Sequence, residues 1–268
     1  MTASWQVFLM RLQHLISSVQ KSLGFTLSFL IYYGLPFHNK ALTRMYVPFV
    51  GTGDLCFDIG AHLGDHIRAW SKLGARVIAL EPHPAMMNWL RRWYGHKADI
   101  VLIEQAVSAK PGTANLWISR LTPSVSTISQ HWLTTVQENR RFAGARWEEH
   151  IPVKVTTLDA LIAQYGKPAF CKIDVEGAEL DVLQGLSQAL PALSFEYIPA
   201  VIEIALGCIE RLRQLGQYEY NWRVSEWPWL HSPAWLNSEA MIARLQHMPR
   251  ESDSGDVYAR LTPQVAVS

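Results

Sequence analysis

Short, uninterrupted apolar runs alternate with longer mixed segments through the middle of the chain. Leu55–Ile59 (broken only by Asp58), Arg76–Leu80, Ile100–Ile103, Phe170–Ile173 and Leu193–Glu196 read as strands covered on both faces, the pattern of a parallel sheet. Between them the sequence predicts helices over Asp65–Leu73, closed by Gly74, over Pro84–Tyr94, over Leu158–Tyr165 behind an N-capping Thr157, over Ala178–Leu186 and over Ala200–Leu215. Tyr218–Arg223 and Asp256–Leu261 are the last two strands and are expected to pair antiparallel. An insertion at about 224–254 separates them, with Trp227, Trp229 and Trp235 and a helix near Leu236–Met248. The tryptophans fit a core and a lid over the strand carboxyl ends equally well. A strand over Ala114–Ile118, a polar loop over Thr122–Ser129, a helix over Gln130–Arg141 and a short strand over Val153–Val155 complete the prediction. The whole is an α/β, Rossmann-like fold with a mostly parallel sheet and helices on both faces.

With 268 residues and 49% hydrophobic content, the chain suits one domain over 46–268 behind a helical lead-in over 1–45. A formal net charge of +1 and the lack of any long Lys/Arg run exclude a nucleic-acid footprint and favour a small or neutral substrate. Cys56, Cys171 and Cys208 have no metal-ligand spacing and are expected to be buried reduced thiols in a cytoplasmic protein. Trp5–Val19 has helical apolar spacing, and the uncharged run Leu23–Leu35 falls short of the roughly 20 residues a membrane span needs. The lead-in is expected to pack on the domain, with weak membrane-surface contact as the alternative.

The candidate chemistry collects at the strand ends. Asp58 precedes the turn Gly60-x-x-x-Gly64, which lacks the second glycine of a dinucleotide fingerprint. A carboxylate there suits a ligand bearing an ammonium or sulfonium better than a pyrophosphate. Glu81 ends the second strand about 20 residues after Gly60, where α/β nucleotide folds place a ribose-binding acid. Gln105 follows the third strand in the crevice position, and Asp174 and Glu176 leave the strand Phe170–Ile173. This set fits S-adenosyl-L-methionine: Glu81 on the two ribose hydroxyls, Asp58 on the ammonium, Gln105 at the adenine edge, and Gly60, His62, Gly64 and Asp174 around the rest. A methyl on a sulfonium needs alignment and a base for the attacking hydroxyl. Glu176 is the expected base and Asp174 its partner, with exchanged roles as the alternative. No metal is assigned, although Asp174, Glu176 and Glu196 form a carboxylate set that magnesium would accept. His62 is expected to be a packed or solvated turn residue rather than a base, and Lys172 to pair Glu179 or a neighbouring acid. A nicotinamide oxidoreductase and a non-catalytic binding protein are the competing functional classes.

Phe57-Asp58-Ile59-Gly60-Ala61-His62-Leu63-Gly64, Glu81-Pro82, Thr156-Thr157-Leu158-Asp159 and Lys172-Ile173-Asp174-Val175-Glu176-Gly177-Ala178-Glu179 resemble the FkbM family of S-adenosylmethionine-dependent methyltransferases over roughly Tyr46–Glu196. The resemblance implies a class I methyltransferase with a seven-stranded sheet and an antiparallel last strand. It also implies O-methylation of a sugar, glycan or polyketide-like acceptor. His62 departs from the pattern, since the family often has asparagine there.

Overall fold

A computed structural model describes residues 38–119, 125–136, 146–225 and 229–262. The lead-in before residue 38, the second half of the helix expected up to Arg141, and Trp227 lie outside the described residues. Helix α1 (His38–Tyr46) leads into β1 (Leu55–Ile59), α2 (Asp65–Lys72), β2 (Arg76–Leu80), α3 (Pro84–Tyr94) and β3 (Ile100–Ile103). The chain continues through β4 (Ala106–Val107), β5 (Gly112–Ser119), α4 (Gln130–Val136), β6 (Trp147–Thr156), α5 (Leu158–Tyr165) and β7 (Phe170–Ile173). The last elements are α6 (Glu179–Gln184), β8 (Ala192–Tyr197), α7 (Ile202–Leu215), β9 (Tyr218–Val224), α8 (Ser238–Gln246) and β10 (Gly255–Leu261).

Seven strands form one sheet in the order β3-β2-β1-β7-β8-β10-β9. Its pairs are parallel except those of β10, which runs antiparallel to β8 and to β9. The strand alternation sorts side chains onto two faces. Phe57, Ile59, Cys171, Ile173 and Phe195 pack against α5, α6, α7 and α8. Cys56, Val77, Ala79 and Phe170 pack against α1, α2 and α3 through Tyr46, Trp70 and Leu90. All three cysteines are buried and unbridged.

A second sheet, β4-β6-β5, was not expected. Only Val153–Val155 of β6 reads as a strand, because Glu148, Glu149, His150 and Pro152 are loop-like in composition. The residues of β6 alternate between partly buried and exposed, and the strand pairs along the whole of β5. The insertion also departs from expectation. From β9 the chain turns back along that strand, so that Tyr220 and Leu236 exchange backbone hydrogen bonds of 2.7 Å, and α8 buries Met241 and Leu245 against the core. Trp235 packs beside Phe49 and under Arg260, and Trp229 is 53% exposed. Described residues of the insertion therefore cover the open edge of β9, where unpaired backbone would otherwise face solvent.

The face shared with α1 and α2 carries a buried polar row. In register across the sheet stand Asp58, Lys172, Ser194, Tyr258 and Asn221, with Asp256 and Arg223 one step further along. Arg223 and Asp256 are each 3% exposed, and the Arg223 Nε donates to Asp256 Oδ2. Asp256→Ala removes the carboxylate that faces this buried guanidinium and should cost about 3–5 kcal/mol of stability, read from the urea-unfolding midpoint. A loss under about 1 kcal/mol would show that the pair is not needed by the fold.

Candidate active site

A cleft opens at the carboxyl ends of β1, β2 and β7, lined by the turn 60–66, Glu81, Gln105, Thr127, Lys172, Asp174, Glu176 and Arg223. Its shape begins with two glycines. Gly60 has φ 83°, and a Cβ there would lie 1.8 Å from the Asp174 carbonyl oxygen. Gly64 has φ 89°, and its Cβ would lie 2.7 Å from the Tyr94 ring. The first clears the neighbouring loop and the second clears helix α3, and both line the cleft.

Glu81, 7% exposed, ties this turn to the next one. Its Oε2 accepts from the His62 N–H at 2.8 Å and its Oε1 from the His83 N–H at 2.9 Å. Burial pushes its carboxyl up to about 7 against the pull of those two donors. Each oxygen keeps a second lone pair for a hydroxyl. His62 adopts φ 47°, and burial drops its imidazole to about 4, so it is neutral at physiological pH.

At the end of β7 the Asp174 N–H donates to Ile59 O at 2.9 Å, which locks the two loops together. Lys172, its side chain 2% exposed, places Nζ 2.6 Å from Asp174 Oδ2 and 4.0 Å from Asp256 Oδ1. Burial would lower its ammonium, but Asp174 and Asp256 hold it above the ordinary lysine range. The lysine thus pairs the neighbouring acid. Glu179, 2% exposed, instead accepts the Val175 and Gly177 N–H groups at 3.1 and 3.2 Å, which closes the turn; its carboxyl is pushed up to about 7 by burial. Glu176 takes the left-handed region at φ 53°, a conformation worth roughly 1–3 kcal/mol of strain. Carboxylate oxygens of Asp174, Glu176 and Glu196 all lie within 4.8 Å of one another. Glu196 titrates well above the ordinary value because of burial first and then the Glu176 and Asp174 charges.

Gly60, His62, Gly64, Glu81, Gln105, Asp174 and Glu176 all line the cleft, as their sequence positions suggested. Asp58 is not among the lining residues. It is fully buried with no hydrogen bond to either oxygen among the described residues, and burial pushes it up to about 7 against the opposing pull of Lys172. Thr127 and Arg223 were not anticipated. Arg223 reaches the cleft from the far strand β9, which no local pattern announces, whereas Lys172 was detectable as a charge inside an apolar strand.

Acids outnumber cations around this cleft, so the residues fit a ligand that brings a positive charge and ribose hydroxyls. A glycine turn after the first strand, an acid ending the second, and a seven-stranded sheet whose last strand is reversed together define a class I methyltransferase whose cofactor is S-adenosyl-L-methionine. The chain belongs to the FkbM methyltransferase family: the model described as "Methyltransferase FkbM domain" matches residues 58–206. That membership sets aside the oxidoreductase reading. The hexuronic acid methyltransferase AglP of Haloferax volcanii is 27% identical over 157 residues, which is 58% of this chain and 57% of that protein. A TehB-like SAM-dependent methyltransferase from Corynebacterium glutamicum matches at TM-score 0.45 and 10% identity, over 91% of this chain and 99% of that one. Aeropyrum pernix fibrillarin with natively bound S-adenosyl-L-methionine matches at TM-score 0.41 and 13% identity, over 82% and 73%. Among the described residues no helix is long and apolar enough to cross a membrane.

The folded-state carboxyls of Asp58, Glu81 and Glu179 near 7 stand above their unfolded values of about 4. Stability from holding those protons is complete below about pH 4 and is lost as pH rises through about 7. His62, lowered to about 4, adds no slope above its unfolded value of about 6.5. The melting temperature should therefore fall between about pH 4.5 and 7.5, against a smaller opposing slope from His62 below about pH 6.5, and the fall should be shallower in Asp58→Asn, which has no charge to bury. Equal slopes in both proteins would mean that Asp58 does not titrate in that window.

Proposed function

We propose that this chain O-methylates a hydroxyl of a sugar or glycan, with a hexuronic acid residue as the first acceptor to test. The observation that carries this reading is the emergence of Asp174 and Glu176 into the cleft directly beside the Gly60 turn. An alcohol is a weak nucleophile at neutral pH, and two carboxylates at one edge of the cofactor turn offer it both a hydrogen bond and a base. S-Adenosyl-L-methionine, when bound, supplies an electrophilic methyl whose leaving group is a neutral thioether. Glu81 takes the ribose hydroxyls on its remaining lone pairs, Gln105 the adenine edge, and neutral His62 packs at the methionine end. Asp58 acts from beneath the cleft as a counter-charge. Glu176 accepts the hydroxyl proton, and Asp174, aimed by the Lys172 ammonium 2.6 Å from its Oδ2, orients the acceptor. The name of the Haloferax relative supports the choice of a sugar acceptor. Small-molecule or glycan acceptors are the expected partners, and the protein is expected to be cytoplasmic.

Two variants test the reading. Glu81→Ala should weaken S-adenosylhomocysteine binding by about 1.5–3 kcal/mol in calorimetry, the range for a hydrogen bond to a charged group. Unchanged affinity removes the ribose assignment. Purified protein given methyl-labelled cofactor and glucuronic acid-containing glycans should transfer label to the sugar, read by mass spectrometry. Glu176→Gln should then lower kcat by about a hundredfold while S-adenosylhomocysteine affinity stays within about threefold. Near-wild-type turnover by that variant would leave proximity alone as the source of rate.

A further inference from the structure

The left-handed backbone of Glu176 is held from outside its own loop. Thr127, 1% exposed and facing the cleft, donates its hydroxyl to the Glu176 carbonyl at 2.6 Å and accepts the Ser129 N–H at 2.9 Å. Its backbone is fixed in turn by reciprocal hydrogen bonds of 2.8 and 3.1 Å with Trp117 of β5. One residue on, Gly177 has φ 89° and lies so close to Trp132 that a Cβ would stand 2.1 Å from the indole. Trp132 is itself fully buried and packed edge-on to Trp147 of β6. The carbonyl of Glu176 and the α-carbon of Gly177 are thus gripped by a segment paired with the second sheet and by helix α4, not by the seven-stranded sheet.

We propose that Thr127 is a positioning residue: its hydroxyl clamps the Glu176 backbone so that the Glu176 carboxylate stands beside Asp174 and Glu196, and the second sheet exists in part to hold that clamp. As a statement about catalysis it rests on the reading of Glu176 as base; as a statement about geometry it does not. The groups facing Glu196 are Glu176, Asp174, Glu179 and Asp256, and Asp256 is itself neutralised by Lys172 and Arg223. Among these, only the Glu176 main chain is held by Thr127.

The test needs no acceptor. Full-length protein labelled with carboxyl-13C glutamate is titrated by NMR, with the Glu196 signal assigned through its loss in Glu196→Gln. Thr127→Val should move the Glu196 midpoint down toward the ordinary carboxylate range, because Glu176 swings away. Thr127→Ser, which keeps the hydroxyl, should leave it at the wild-type position. Glu176→Gln should lower it as well, and Thr127→Val added to Glu176→Gln should change nothing further. Calorimetry with S-adenosylhomocysteine checks that each variant is folded, and Thr127→Ala replaces the valine variant if that one is not. A Glu196 midpoint unmoved by loss of the hydroxyl, or moved equally in the Glu176→Gln background, overturns the clamp. On an acceptor that the wild type methylates, Thr127→Val should lower kcat about tenfold or more with cofactor affinity unchanged. Glu176→Gln that still turns over defeats the base assignment while leaving the NMR result standing, so the two failures are distinguishable.

Discussion

Two strand-end turns share one volume in this protein, and the cleft follows from that crowding. Parallel pairing of β1 with β7 delivers residues 60 and 174 to the same edge, where the Asp174 N–H bonds Ile59 O at 2.9 Å. The Asp174 carbonyl then occupies the space where a side chain at position 60 would begin, so only glycine fits. The cofactor turn and the acid-bearing turn therefore cannot move independently. Glu81 extends the same coupling to β2 by accepting one backbone N–H from each flanking turn. Three loops that bring chemistry from distant parts of the chain are held in register by backbone groups. Their side chains are left to face the ligand.

Charge is the second organising constraint. Asp58, Glu81, Asp174, Glu176, Glu179, Glu196 and Asp256 gather around two buried cations, Lys172 and Arg223. Burial raises the carboxyls of Asp58, Glu81, Glu179 and Glu196, whereas Asp256, against Arg223 and Lys172, ends below its ordinary value. A positive charge placed beside such proton-holding carboxyls favours their ionised form. Lys172 sits where this balance is set, bridging the acid that lines the cleft and the acid paired to the last strand of the sheet.

The second sheet answers a different need. A turn that puts Glu176 at φ 53° and Gly177 at φ 89° would relax if it met only solvent. Trp132 of α4 and Thr127, paired with β5, press on it from outside the seven-stranded sheet. The chain length beyond the core sheet is used to hold one loop still.

Periodicity and strand-end chemistry in the sequence by themselves determined the alternating α/β order, the core strands β1, β2, β3 and β7 with bounds that match the structure, and the convergence of Glu81, Gln105, Asp174 and Glu176 at one edge. These are legible because a doubly covered strand must be apolar and short, and because a parallel sheet sends every strand end to the same side. What only the tertiary structure decided depends on contacts between segments far apart in sequence. It withdrew Asp58 from the cleft by pleating it onto the α1 and α2 face, a matter of strand parity against neighbours that the sequence does not name. It brought in Arg223 from β9 and Thr127 from a segment read only as a polar loop. It also turned the tryptophan-bearing insertion back along the β9 edge, where unpaired backbone needed cover more than the cleft needed a lid. Local pattern specifies which face is apolar; which polar side chain ends beside which is settled only when sheets and loops pack.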